Sequence, residues 1–258
     1  MNIRIMAGSF ITVVMLLFVS NVHGADEEET IPVAKTGDTF LFIGNSFTYA
    51  NNLPAVFEAM AGHARKKIRT EMIAEGGASF GSHWNNSDTR QAAEKKKWNF
   101  VILQDQSQTP VFIPEDTMKY GANFCKAVKE NGGVPVLFVT WGYLEDGSFD
   151  TEMQDGLTAT YSRLAAQENA LLVPVGEVWR AWYKTYPKTV LHSSDGRHPN
   201  EYGTYLAACV FYATLFQKSP EGLPGRLRLN GRVVSSIPDD IAKKMQKLVA
   251  DFQARERQ

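Results

Sequence analysis

Short apolar runs alternate along the chain with longer stretches in which apolar residues recur at helical spacing. Residues 39–43 (TFLFI) and 100–103 (FVIL) are continuous apolar runs of strand length. Residues 68–74, 134–139 and 171–175 extend that set of strands. After the first run, Asn52-Leu53-Pro54 opens a helix whose Leu53, Val56, Phe57, Met60 and Ala64 share one face. Residues 88–97, 116–130, 151–169 and 202–216 read as further helices, and Asn131-Gly132-Gly133 stops the one at 116–130. In the tail, 239–255, Ile241, Met245, Leu248, Val249 and Phe252 form one apolar stripe. Strands alternating with helices predict an α/β fold: a three-layer α/β/α sandwich around a mainly parallel five-stranded sheet. Such sheets bind ligands beyond the carboxyl ends of their strands, where Ser46 falls. No repeat, low-complexity tract or linker divides the chain.

The N-terminus departs from this pattern. A short segment with Arg4 precedes an almost wholly apolar stretch, residues 5–19, then Val22-His23-Gly24-Ala25 and the acidic run Asp26-Glu27-Glu28-Glu29. This is the order of a secretory signal peptide, with cleavage expected near Gly24. The apolar stretch is roughly 15 residues, whereas a spanning helix needs about 20. The expected organisation is a signal peptide at 1–24, a polar lead at 25–37 and one domain at 38–258, in a periplasmic or secreted protein without stable membrane insertion.

Charge narrows the partners. Lys and Arg number 27 against 28 Asp and Glu, so no basic excess argues for nucleic acid. Lys95-Lys96-Lys97 reads as a solvated helix face. Cys125 and Cys209 each lie among apolar residues of a helical pattern and are expected to be buried free thiols. No His/Cys/Asp group has metal-ligand spacing and no phosphate-binding glycine loop occurs, so no cofactor is expected.

Candidate chemistry lies in two segments. Phe42-Ile43-Gly44-Asn45-Ser46-Phe47 puts a serine where the first strand ends, and Asp195-Gly196-Arg197-His198-Pro199-Asn200 puts an acid three residues before a histidine. A serine hydroxyl needs a base to become nucleophilic, and a histidine oriented by a carboxylate is the usual one. Of the five histidines, His23 falls in the leader, His63 ends a helix, and His83 follows a glycine pair near the pocket. His192 competes with His198 for the base but lacks the Asp-x-x spacing.

These segments resemble the SGNH/GDSL hydrolases. Gly44-Asn45-Ser46-Phe47 is similar to the family's first block, although Asn45 stands where an aspartate is usual. Asp195-Gly196-Arg197-His198-Pro199 is similar to its last block. Glu75-Gly76-Gly77-Ala78-Ser79 is similar to the second, and Gly77 best matches the glycine whose N–H serves the oxyanion hole. The family's third-block asparagine is absent. Gln104-Asp105-Gln106-Ser107 instead resembles the Gln-Gly-Glu-Ser segment of the sialate O-acetylesterase and acetylxylan esterase branch. The opening Phe-Ile-Gly-Asn-Ser-Phe-Thr also resembles uncharacterised exported bacterial SGNH-like proteins.

The resemblance implies an SGNH/flavodoxin-like fold and a serine esterase with Ser46 as nucleophile, His198 as base and Asp195 as its orienting acid. It implies an oxyanion hole from the Ser46 and Gly77 amides and a glutamine side chain, Gln104 ahead of Gln106. Asn45, His83, Trp84 and Trp141 are candidate pocket residues, the tryptophans because aromatic faces stack on sugars. The expected substrate is an acylated carbohydrate or other small ester, with O-acetyl removal leading. A lipid esterase, lysophospholipase or thioesterase on the same residues is one rival, and a catalytically silent glycan-binding protein is another.

Overall fold

A computed structural model of the protein describes residues 32–95 and 97–256. The signal peptide expected at 1–24, and the lead as far as residue 31, lie outside the described residues.

Strands β1 (Thr39–Gly44), β2 (Arg69–Ala74), β3 (Phe100–Leu103), β4 (Val134–Phe138) and, after a small antiparallel pair, β5 (Leu144–Glu145) and β6 (Ser148–Phe149), β7 (Leu171–Val173) appear in that chain order. The main sheet has the order β2-β1-β3-β4-β7, and every neighbouring pair in it is parallel. β1 and β3 are buried along nearly their whole length, as continuous apolar runs in a covered parallel sheet must be.

Helices connect and cover the strands: α1 (Ser46–Tyr49), α2 (Leu53–His63), α3 (Phe80–Asn85), α4 (Ser87–Lys95), α5 (Thr109–Phe112), α6 (Pro114–Glu130), α7 (Thr151–Glu168), α8 (Val175–Thr185), α9 (Glu201–Phe216) and α10 (Asp239–Glu256). Phe40 and Phe42 of β1 meet Phe57 of α2, and Phe42 and Phe138 meet Phe211 of α9. Side chains alternate along a strand, so Leu41 and Ile43 face the opposite layer, where α6 and α7 pack on the sheet. The result is the expected three-layer α/β/α sandwich. α9 is buried almost all round, which is why its apolar residues show no single stripe.

Among the features that depart from the expectations are a shortened strand and a hairpin. The strand expected over 171–175 ends at Val173, because Pro174 introduces α8, which buries Val175, Val178, Trp179, Trp182 and Tyr183. A hairpin of β8 (Arg226–Leu229) and β9 (Arg232–Ser236) turns at Asn230-Gly231, both at positive φ (49° and 80°), as a two-residue hairpin loop requires. Cys125 and Cys209 are buried and free, as expected.

Candidate active site

Ser46 sits at the first position of α1, directly beyond β1. Asn45 is extended (φ −137°) and caps the helix by accepting the Phe47 N–H at 3.1 Å. Beneath this turn lies a set of buried polar side chains. Gln104 Oε1 accepts the Asn45 N–H at 2.9 Å and the Thr48 hydroxyl at 2.9 Å. Asn45 Nδ2 donates to the Ala78 carbonyl at 2.9 Å and to that of Asp105 at 3.3 Å. Asp105 in turn accepts the Phe80 N–H (2.7 Å), the Gln106 N–H (2.8 Å) and the Thr117 hydroxyl (2.6 Å). Burial pushes the Asp105 carboxyl above its ordinary value, and these hydrogen bonds oppose that rise. Gly44 has no alternative: a Cβ there would lie 2.5 Å from both Gln104 Oε1 and Thr48 Oγ1.

The second half of the site is the hairpin-like loop before α9. His192 and Pro199 form an antiparallel bridge, and the Ser193 N–H donates to the His198 carbonyl at 2.7 Å. Gly196, at φ +68°, makes the turn; a Cβ there would lie 2.2 Å from the Leu144 carbonyl oxygen. Leu144 N–H donates to the Gly196 carbonyl at 2.8 Å and Trp141 Nε1 to the Arg197 carbonyl at 2.9 Å. Asp195 Oδ1 accepts the N–H groups of Arg197 (2.9 Å) and His198 (3.0 Å). Asp195 Oδ2 lies 2.5 Å from His198 Nδ1, and His198 Nε2 lies 2.8 Å from Ser46 Oγ. Partial desolvation pushes the Asp195 carboxyl up, but the bonds from His198 and the two backbone N–H groups outweigh it and hold it at about 2. An ionised Asp195 keeps the proton on Nδ1, so Nε2 is free to accept from the serine hydroxyl.

His192, by contrast, is buried with both ring nitrogens engaged. Nε2 lies 3.1 Å from the Gly142 carbonyl, which can only accept, so Nδ1 accepts from the Tyr183 hydroxyl at 2.7 Å. Burial lowers its pKa to about 4. It is a neutral packing group and does not compete with His198 for Ser46.

The remaining expectations divide. Gly77 lies in the turn after β2, beside the Ser46 turn because Gly44 pairs with Ala74, and it takes φ +70°. The N–H groups of Ser46 and Gly77 meet no acceptor among the described residues. Gln104 is corrected: its amide is fully buried, its oxygen holds the Ser46 turn, and its Nε2 donates to the Asp105 carbonyl. The two glutamines share a side only while the chain stays extended, and β3 ends at Leu103. Gln106 is half-buried; its Oε1 accepts the N–H groups of Gln108 (2.7 Å) and Thr109 (3.0 Å), which leaves its NH2 end without a protein partner among the described residues.

Three of the four candidate pocket residues, Asn45, His83 and Trp141, are buried and corrected on that ground, whereas Trp84 is half-buried. Asn45 is 3 % exposed and serves as cap and strut. His83 is 3 % exposed, donates from Nε2 to the Gly44 carbonyl at 2.7 Å, and has its pKa lowered by burial. Trp141 is buried, stacked between Phe47 and Trp179 at 4.8 and 3.9 Å, so neither face meets solvent. Trp84 packs edge-on against Phe124. One linking residue has no sequence signal beyond being an asparagine: Asn51, at φ 54°, donates from Nδ2 to the Pro199 carbonyl at 3.0 Å and to Thr204 Oγ1 at 3.1 Å.

No protein-family model and no curated protein matches the chain. Solved structures do. A candidate SGNH hydrolase from Slackia heliotrinireducens is 28% identical over 70% of this chain and 99% of its own, with a TM-score of 0.58. A DUF4886 family protein from Bacteroides uniformis is 17% identical over 83% and 93%, with a TM-score of 0.65. A variant of an acetyl xylan esterase from Geobacillus stearothermophilus is 18% identical over 70% and 95%, with a TM-score of 0.55. The fold is therefore the one these SGNH-type hydrolases and esterases share.

Proposed function

We propose, starting from the SGNH/GDSL hydrolase fold, that the protein is a serine esterase working through Ser46, His198 and Asp195. The observation that carries the reading is the continuous line from Ser46 Oγ through His198 to Asp195, at 2.8 and 2.5 Å. His198 Nε2 takes the hydroxyl proton as Ser46 attacks the ester carbonyl, then returns it to the leaving alcohol. Water, activated by the same nitrogen, hydrolyses the acyl-enzyme. Asp195 holds the imidazole and balances the imidazolium charge. The Ser46 and Gly77 N–H groups and the Gln106 amide stabilise the oxyanion, since they are donors without acceptors among the described residues.

The substrate proposed is an O-acetylated, or otherwise short-acylated, carbohydrate met outside the cytoplasm. The acetyl xylan esterase among the structures of the same fold supports the substrate, and the leader pattern at residues 1–24 supports export. Hydrolysis of 4-nitrophenyl acetate and of a peracetylated sugar by the purified protein tests the reading. Turnover by the native chain and its loss in Ser46→Ala are expected. Turnover that survives Ser46→Ala would overturn the serine mechanism, and its absence in the native chain would favour the silent glycan binder.

A further inference from the structure

Arg197 differs from the paired arginines of the molecule. Arg69, Arg90 and Arg180 face Glu71, Glu94, and Asp155 with Glu177 respectively. Arg197 has no carboxylate within 4 Å among the described residues, and its guanidinium carbon lies 5.1 Å over the centre of the Tyr143 ring. Tyr143 is buried and its hydroxyl is 2.8 Å from Ser107 Oγ, so the ring is a fixed platform. Tyr143 follows β4 and Ser107 follows β3, which places this platform at the carboxyl edge of the sheet that also carries Ser46. The Arg197 peptide is held at both ends, its N–H on Asp195 Oδ1 and its carbonyl on Trp141 Nε1. The one acid of this turn, Asp195, is already engaged by His198 and two N–H groups.

We infer that Arg197 is a specificity-determining residue that selects esters whose alcohol part carries an oxyanion, such as an O-acylated hexuronate. The inference rests on the esterase reading and names the substrate class of that site. A guanidinium resting over a ring, with no carboxylate partner among the described residues, has N–H donors to offer a planar, bidentate acceptor, and a carboxylate or a sulfate supplies one. Next to His198 in the chain, it would hold the charged group of a sugar while an acyl oxygen of that sugar lies at Ser46.

The test compares kcat/KM on an O-acetylated methyl hexuronide, its neutral hexoside counterpart and a sulfated hexoside. The native protein is expected to favour an anionic substrate by about tenfold, through KM, with the preference fading as salt rises from roughly 0.05 to 0.5 M. Arg197→Gln should bring the ratio of anionic to neutral substrate near one, while Arg197→Lys keeps part of it. The sulfated arm identifies the anion: a loss confined to it assigns sulfate, and a loss on the hexuronide assigns carboxylate. A native protein without charge preference, or an Arg197→Gln variant with an unchanged ratio, overturns the inference while leaving an esterase. The salt dependence of the native protein needs no variant, so poor folding of Arg197→Gln would not protect the idea. Absence of turnover on every ester overturns the esterase reading and this inference with it.

Discussion

The turn that carries Ser46 rests on side chains closed to solvent, whereas the loop that carries its partners faces water. Asn45, Gln104 and Asp105 are 3 %, 0 % and 0 % exposed, while the side chains of His198 and Asp195 are 40 % and 45 % exposed. The first region is held by side-chain hydrogen bonds between residues far apart in sequence. The second is held by backbone bonds within one hairpin and by a few anchors from Trp141, Leu144 and Asn51. Damage to the first should unsettle the fold and the serine together, because the buried polar groups there hydrogen-bond to one another with no solvent to replace a lost partner. Damage to the second should change chemistry and leave the fold standing.

The largest effect that can break this contrast is expected in the loop. His198→Ala should lower kcat on an activated acetyl ester by about 10⁴-fold or more, and Asp195→Ala by less, since triad members lose unequally. Thermal unfolding should move by only a few degrees, because both side chains are solvent-facing. A His198→Ala protein that no longer folds would show the loop to be as structural as the turn.

The two glutamines sharpen the contrast within one segment. Gln106→Ala should reduce kcat by about 10² to 10³ with little change in stability, as expected when one oxyanion donor is lost. Gln104→Ala should instead destabilise the protein by about 1–3 kcal/mol, because the Asn45 N–H and the Thr48 hydroxyl lose their buried acceptor. Urea unfolding and steady-state kinetics on both variants decide the matter. A large kinetic loss in Gln104→Ala at unchanged stability would return the oxyanion role to Gln104.

How much could be read from the chain follows the same divide. The strands of the main sheet were legible because all but the mixed β2 (RTEMIA) are short, mostly apolar runs, and the Asp-x-x-His spacing was legible because its partners are three residues apart. The polar set under Ser46 was not, since it joins residues 45, 78, 80, 104, 105 and 117 across the fold. Gln104 and Gln106 would present the same side only on an extended chain, and the strand stops at Leu103. Trp141 shows the same limit: its position after a strand was readable, its burial between two rings was not. Helix α8 and the Asn230-Gly231 hairpin did carry local signals, helical apolar spacing and an Asn-Gly turn. Reading 171–175 as strand absorbed the first residue of α8 and hid its pattern.

Two histidines six residues apart give a pH test of the buried side. Folding lowers the affinity of His192 for a proton from its ordinary 6.5 to about 4, so the unfolded chain binds more protons between those values. The stability that a neutral His192 permits is complete above pH 6.5 and is lost as pH falls towards 4, by about 3 kcal/mol at most. Denaturant unfolding of the native chain and of His192→Gln at several pH values isolates this contribution. The variant should lose less stability than the native chain between pH 6.5 and 4. Parallel profiles would mean that His192 is protonated in the folded state.

The smallest effect concerns the bridge between the two regions. Asn51 ends the Ser46 turn in a left-handed conformation, φ 54°, and donates to the carbonyl of Pro199, the residue after His198. Its side chain and its backbone shape can be separated. Asn51→Gly keeps the conformation and removes the hydrogen bonds; Asn51→Ala removes the bonds and adds strain of about 1 kcal/mol. Both variants should lower kcat by less than about tenfold, since the serine and histidine shift slightly relative to each other. Thermal unfolding should then rank the native chain above Asn51→Gly, and Asn51→Ala last. Native kcat in both variants would show that the buried turn and the exposed loop keep their alignment without this bridge, through the Phe47 and Trp141 rings that stack at 4.8 Å between them.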